Sequence, residues 1–102
     1  MAQFDVHRYS PRGVTFSFVM NIQHAEHDWL ATREVIPLYL KRSVKRIVSK
    51  LNPVVRLDGQ EYFLAIQEMA AVNTRVLGAK VASLSEYRDE ILAAVDFLIT
   101  GF

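Results

Sequence analysis

The stretch "PVVRLDGQEYFLAI" constrains the chain more than any other. Two apolar-rich runs flank Asp58-Gly59, and a type I′ turn needs positive φ at both central residues, which Asp and Gly tolerate best. That predicts a tight β-hairpin, and with it an antiparallel sheet. A second alternating run, "VTFSFVMNI", places Val14, Phe16, Phe18, Met20 and Ile22 on one side. Thr15, Ser17 and Asn21 face the other way, with Val19 the exception. A period of two is the pleat of a half-buried strand. "QFDVHRY" alternates loosely, and "SPRG" between these runs predicts a hairpin, with Pro11 presetting φ and Gly13 closing the turn. "VIPL" reads as a short strand in which Pro37, lacking an N–H, belongs at an edge or a bulge. "MAAV" and "TRVLG" read as further short strands.

The period changes twice. In "LKRSVKRIVSKLNP", Leu40, Val44, Ile47, Val48 and Leu51 fall on one helical stripe, with Lys41, Arg42, Lys45 and Arg46 opposite. Asn52-Pro53 stops it, so a short helix is predicted. From Ser83 the pattern is helical to the end. Ser83 and Glu86 have capping-box spacing. Leu84, Ile91, Val95, Leu98 and Phe102 make a stripe that Leu92 and Ile99 widen. The class is α+β: an antiparallel sheet, a short helix and a long terminal helix. The 102 residues fit one domain spanning the chain, and 51% apolar against 23% charged residues provides a core. No apolar run reaches the roughly 18 residues of a membrane span. The opening "MAQFDVHRYS" has no basic-then-apolar leader pattern, and Cys is absent. These point to the cytoplasm and exclude disulfides, thiolate metal sites and Cys nucleophiles.

Chemistry is hard to find. "HAEHD" sets His24 and His27 three apart beside Glu26 and Asp28, but no third His or Cys supports a zinc site, and a solvated loop is the simpler reading. No serine lies in a G-x-S-x-G elbow, and the glycines are isolated, so neither a nucleophile nor a phosphate loop is marked. A ribonuclease would have to draw on His7, Arg8 and Arg12, which no spacing selects. No metal or cofactor is expected. The run Lys41, Arg42, Lys45, Arg46 and Lys50 carries five basic residues and no acid. It is either a solvated face or a landing strip for an anionic partner. No aromatic residue is interleaved with it, which argues against single-strand stacking. Trp29 is either an exposed anchor or, by the simpler reading, a lid on the core. The apolar end Ile99–Phe102, behind the small Ala93 and Ala94, either caps the core or forms a twofold or partner contact.

Over essentially its whole length the chain resembles the CcdB family, the toxin halves of CcdA–CcdB toxin–antitoxin pairs. The resemblance is carried by "QF-V", "FVMNIQ", "VIPL", "LNPVV", "MAAV", "VLG-KVASLS-YRDEI" and "DFLITGF", in that order and spacing. It implies a cytoplasmic, homodimeric, SH3-like antiparallel β-sheet or barrel of the CcdB/MazF type with a long C-terminal helix. It implies no catalysis but poisoning of DNA gyrase: the dimer enters the DNA gate between two gyrase A subunits and traps the cleaved complex. The gyrase-facing set implied here is Asp96, Ile99, Thr100, Gly101 and Phe102, with Glu26 and His27 from the loop. Leu98 and Ile99 would lie at the dimer axis. The best-known form of the motif has Trp where Thr100 stands, Asn at Asp96, an aliphatic end at Phe102 and aliphatic residues at Glu26 and His27. A CcdA-like antitoxin neutralises such toxins through a disordered segment, for which Lys41, Arg42, Lys45 and Arg46 are the candidate contacts. The complex represses its own operon, with the antitoxin touching the operator DNA. An endoribonuclease of the shared fold, or a toxin-derived protein without gyrase binding, are the alternatives.

Overall fold

The computed structural model describes residues 1–44 and 46–101. Its strands are β1 (Asp5–Arg8), β2 (Phe18–Asn21), β3 (Thr32–Leu40), β4 (Val54–Leu57), β5 (Gln60–Leu64), β6 (Ala70–Asn73) and β7 (Lys80–Ser83). One α-helix, α1 (Arg88–Thr100), follows a 3-10 turn at Ser85–Tyr87. Every strand pair is antiparallel, in the order β4-β5-β3-β2-β1-β7, with β6 also on β3. The long β3 organises the sheet. One edge pairs with β2, while the other pairs first with β6 over Thr32–Val35 and then with β5 over Leu38–Leu40. Two strands sharing one edge must diverge, and the sheet curls into a half-barrel.

Val6, Met20, Ile36, Leu38, Val55 and Leu64 fill the inside of the curl, and Leu84, Ile91 and Ala94 close it from the helix side. The opposite face is covered too: Val19, Asn21 and Val35 are buried. Asn21 is tolerated there because its amide donates to the carbonyls of Ala2 and Gln23, each at 3.0 Å. The predicted β4–β5 hairpin forms as read, with Leu57 opposite Gln60 and φ of 51° at Asp58 and 76° at Gly59.

Several local expectations are corrected. The helix predicted over Leu40–Leu51 does not form. Lys41–Ser43 make one 3-10 turn, Val44 is extended, and residues 46–48 are irregular. The Ser43 hydroxyl donates to the Leu40 carbonyl at 2.7 Å, a local bond that competes with helix continuation. Buried Asn52 then pins the segment to the sheet: it accepts from Val48 N–H and donates to the Leu64 carbonyl and Gln67. Lys45 lies outside the described residues. Pro37 is in the middle of the central strand rather than at an edge or bulge. Its carbonyl accepts from Ala65 N–H at 3.0 Å, so its missing N–H faces the same side, where β3 changes partner from β6 to β5. The predicted β1–β2 hairpin does form, but its loop is wider than the "SPRG" turn, with regular pairing only from Arg8 and Phe18. "TRV" is a 3-10 turn and not a strand. No capping box forms: Ser83 ends β7, and its hydroxyl accepts from Ser85 N–H at 3.3 Å.

Candidate functional site

The core releases α1 before the helix ends. Ile91 and Ala94 are buried, whereas Leu98 is 41% and Ile99 76% exposed. The last turn is nevertheless well closed. Thr100 Oγ1 donates to the Asp96 carbonyl at 2.8 Å, and Gly101 N–H donates to Phe97 O at 2.9 Å. Gly101 has φ 81°, the left-handed C-cap for which glycine is suited. The helix end is therefore an ordered, uncovered apolar turn that carries Asp96, Leu98, Ile99 and Thr100 on the surface. Phe102 lies outside the described residues, and so does the question of whether it caps the core.

Glu26 and His27 are exposed in a 3-10 turn, Ala25–His27. His24 Nδ1 accepts from Glu26 N–H at 3.0 Å, which commits that nitrogen to the turn. A polar frame holds the loop. Buried Arg33 donates to the carbonyls of Asp28, Leu30 and Thr32 at 2.6–2.8 Å. Gln23 donates to His27 O and accepts from Glu34 N–H, both at 3.0 Å. Asp28 takes the N-terminal ammonium at 2.9 Å and Arg33 Nε at 3.4 Å. The hydrogen bond from that ammonium holds the Asp28 carboxyl below its ordinary value, against the opposing effect of desolvation. This frame presents Trp29, which is 79% exposed. Trp29 is thus no lid on the core. The sequence signal was the pair Asp28 and Arg33, five residues apart around the Trp.

The basic residues are dispersed differently from the expected stripe. Lys41 and Arg42 sit in the 3-10 turn after β3, and Arg46 is exposed in the irregular segment. Lys41 Nζ reaches Glu61 Oε1 at 3.7 Å. Among the described residues no hydrogen bond or ion pair joins the helix end, the Glu26–His27 turn and this basic segment.

His7, Arg8 and Arg12 do not converge. His7 is buried, with Nδ1 donating to the Gly78 carbonyl at 2.9 Å. Arg8, its neighbour on β1, points to the opposite face and lies over the Phe18 ring at 5.8 Å. Arg12 is exposed in the β1–β2 loop. These three side chains therefore do not form an acid, a base and a phosphate clamp in one groove.

The family model for CcdB protein matches residues 3–101, from before β1 through the Gly101 cap. The chain belongs to the CcdB family. The curled antiparallel sheet with its terminal helix is the fold of this CcdB-type toxin. Among the described residues no helix is long and apolar enough to cross a membrane.

Proposed function

We propose that this CcdB-family chain is the toxin of a type II toxin–antitoxin pair. It binds the gyrase A subunit and traps the DNA gyrase cleavage complex, acting by wedging and without chemistry of its own. The working unit is a cytoplasmic homodimer, with Leu98 and Ile99 near the twofold axis and Asp96, Ile99, Thr100, Gly101 and Phe102 facing gyrase. Glu26 and His27 contribute from the loop. A CcdA-like antitoxin neutralises it through the basic segment, and the complex represses its operon through the antitoxin's own DNA contacts. Such a pair serves plasmid maintenance.

One observation carries this reading beyond family membership: an apolar helix end, capped in order by Gly101, that the chain's own core does not cover. Such a patch needs a partner, and in a twofold dimer it is presented twice, so a modest contact acts bivalently. The test is a gyrase cleavage assay on supercoiled plasmid with purified protein. Protein-linked linear DNA is the expected product. Relaxed or supercoiled DNA alone, or RNA cut in the absence of gyrase, overturns the proposal.

A further inference from the structure

The predicted basic helix is absent, and in its place the backbone builds a cleft. β3 runs out at Leu40 opposite Tyr62 of β5, so the 3-10 turn Lys41–Ser43 sits beside the start of β5. The β4–β5 hairpin forms the other wall. The result is an open cleft of about 460 Å³ whose charged lining is Lys41, Arg42, Arg56 and Glu61, with Gly59 and Gln60 at the turn. Arg56 lies directly across from Glu61 in the hairpin register. Glu61 nevertheless pairs with Lys41, and Arg56 reaches only the Gly59 carbonyl, at 3.5 Å. Among the described residues neither Arg42 nor Arg56 pairs with an acidic side chain. Three cations against one committed carboxylate leave the cleft with an excess of positive charge and two guanidinium groups on its walls.

We infer that this cleft between the Lys41–Ser43 turn and the β4–β5 hairpin is a carboxylate-recognition site for an acidic peptide segment, with Arg42 and Arg56 as the two recognising residues. Its natural occupant, the disordered segment of the antitoxin, rests on the function proposed above. Three observations favour a peptide read through its side chains. Guanidinium matches a carboxylate with paired, charge-assisted hydrogen bonds. Half-buried Leu40 adds an apolar spot to the lining, which suits an acidic residue followed by an aliphatic one. Strand addition on the outer edge of β4 is blocked at Arg56, because its outward N–H already donates to Tyr87 Oη at 3.1 Å. No aromatic side chain lines the cleft to stack a base, which disfavours a nucleic-acid strand.

The experiment uses hexaglutamate as probe against the full chain, at low salt where screening is weak. Titration should shift the Arg42 and Arg56 side-chain Nε–H signals in NMR spectra. Arg42→Gln and Arg56→Gln should each lower affinity on the order of tenfold. Arg75→Gln removes the same charge outside the cleft, from the exposed Thr74–Val76 turn, and should cost less than about twofold. Equal losses in all three variants would reduce the cleft to diffuse surface charge and overturn the inference. So would a thymidine hexanucleotide that binds more tightly than hexaglutamate and is lost on the same two substitutions. A second arm separates the two proposals. Cleft variants that lose hexaglutamate yet bind the C-terminal peptide of a CcdA-type antitoxin like wild type would overturn the antitoxin as occupant. A wild-type protein that binds hexaglutamate in the cleft but no antitoxin would refute the antitoxin pairing and leave the cleft assignment standing.

Discussion

Replacing Ile99 by Ala separates folding from function at the helix end. Ile99 is 76% exposed, so only about a quarter of its surface is covered by the chain itself. Full burial of an Ile side chain is worth about 1.5–3 kcal/mol, and a quarter of that is roughly 0.4–0.8 kcal/mol. In a domain of this size such a loss lowers Tm by only about 2–6 °C. Ala also favours the helix slightly more than Ile, which offsets part of the loss. If Ile99 is a buried anchor in the gyrase complex, its truncation there should cost about 2 kcal/mol or more. That is roughly a thirtyfold loss of affinity or more, and with two copies per dimer the functional loss is larger still. The assays are thermal melting, sedimentation at micromolar concentration and gyrase-dependent linearisation of plasmid, on the same preparation. The expected result is a small Tm change, an unchanged sedimentation coefficient and little linear DNA. A Tm drop beyond about 10 °C would show that Ile99 is supported far more than its exposure states. Unimpaired trapping would place the active surface elsewhere.

Three further outcomes are expected. Leu98→Asp puts a charge into the proposed twofold contact and should yield monomers by sedimentation; a stable dimer would rule that contact out. Asp28→Asn should destabilise the protein at neutral pH, where the carboxylate pairs with the N-terminal ammonium and Arg33. Because the folded-state value of Asp28 is lowered from 3.8, this contribution is present above that value and lost as pH falls through the lower one. The Tm gap between wild type and Asp28→Asn should therefore close on acidification below about pH 4, and a gap that persists unchanged at pH 2 would contradict the pairing. Tyr39 donates to Glu68 Oε1 at 2.6 Å, and burial, reinforced by that acceptor, pushes its hydroxyl up to about 12. An ultraviolet titration of the folded protein should show one tyrosinate step near pH 12 that disappears in Tyr39→Phe, and identical titration curves would refute the assignment.

What the sequence alone determined lies where the deciding free energy is local. Asp58-Gly59 became a two-residue hairpin because positive φ at both positions is a property of those residues and not of their neighbours. The terminal helix was legible from its 3.6-residue period. The sequence left open whether the apolar helix end caps the core, and the structure decided it for Ile99, which is exposed. Tertiary structure decided the segment from Leu40 to Leu51, whose helical period was real but was overruled. The Ser43 hydroxyl bonds back to Leu40, and Asn52 is pulled into the sheet by Leu64 and Gln67, partners twelve and fifteen residues away. It decided Pro37, which a central strand accepts only because its missing N–H falls where two neighbouring strands meet. It decided Trp29, held out in solvent by a buried Arg33 whose hydrogen bonds no periodicity could foretell. It also decided the cleft, since Arg42 and Arg56 are fourteen residues apart in the chain and line one cleft from opposite walls only because β5 pairs with both β3 and β4. Turn and helix signals act between near neighbours, whereas partner choice, burial of a polar anchor and convergence of charges depend on which strands pair, and pairing is a property of the whole sheet.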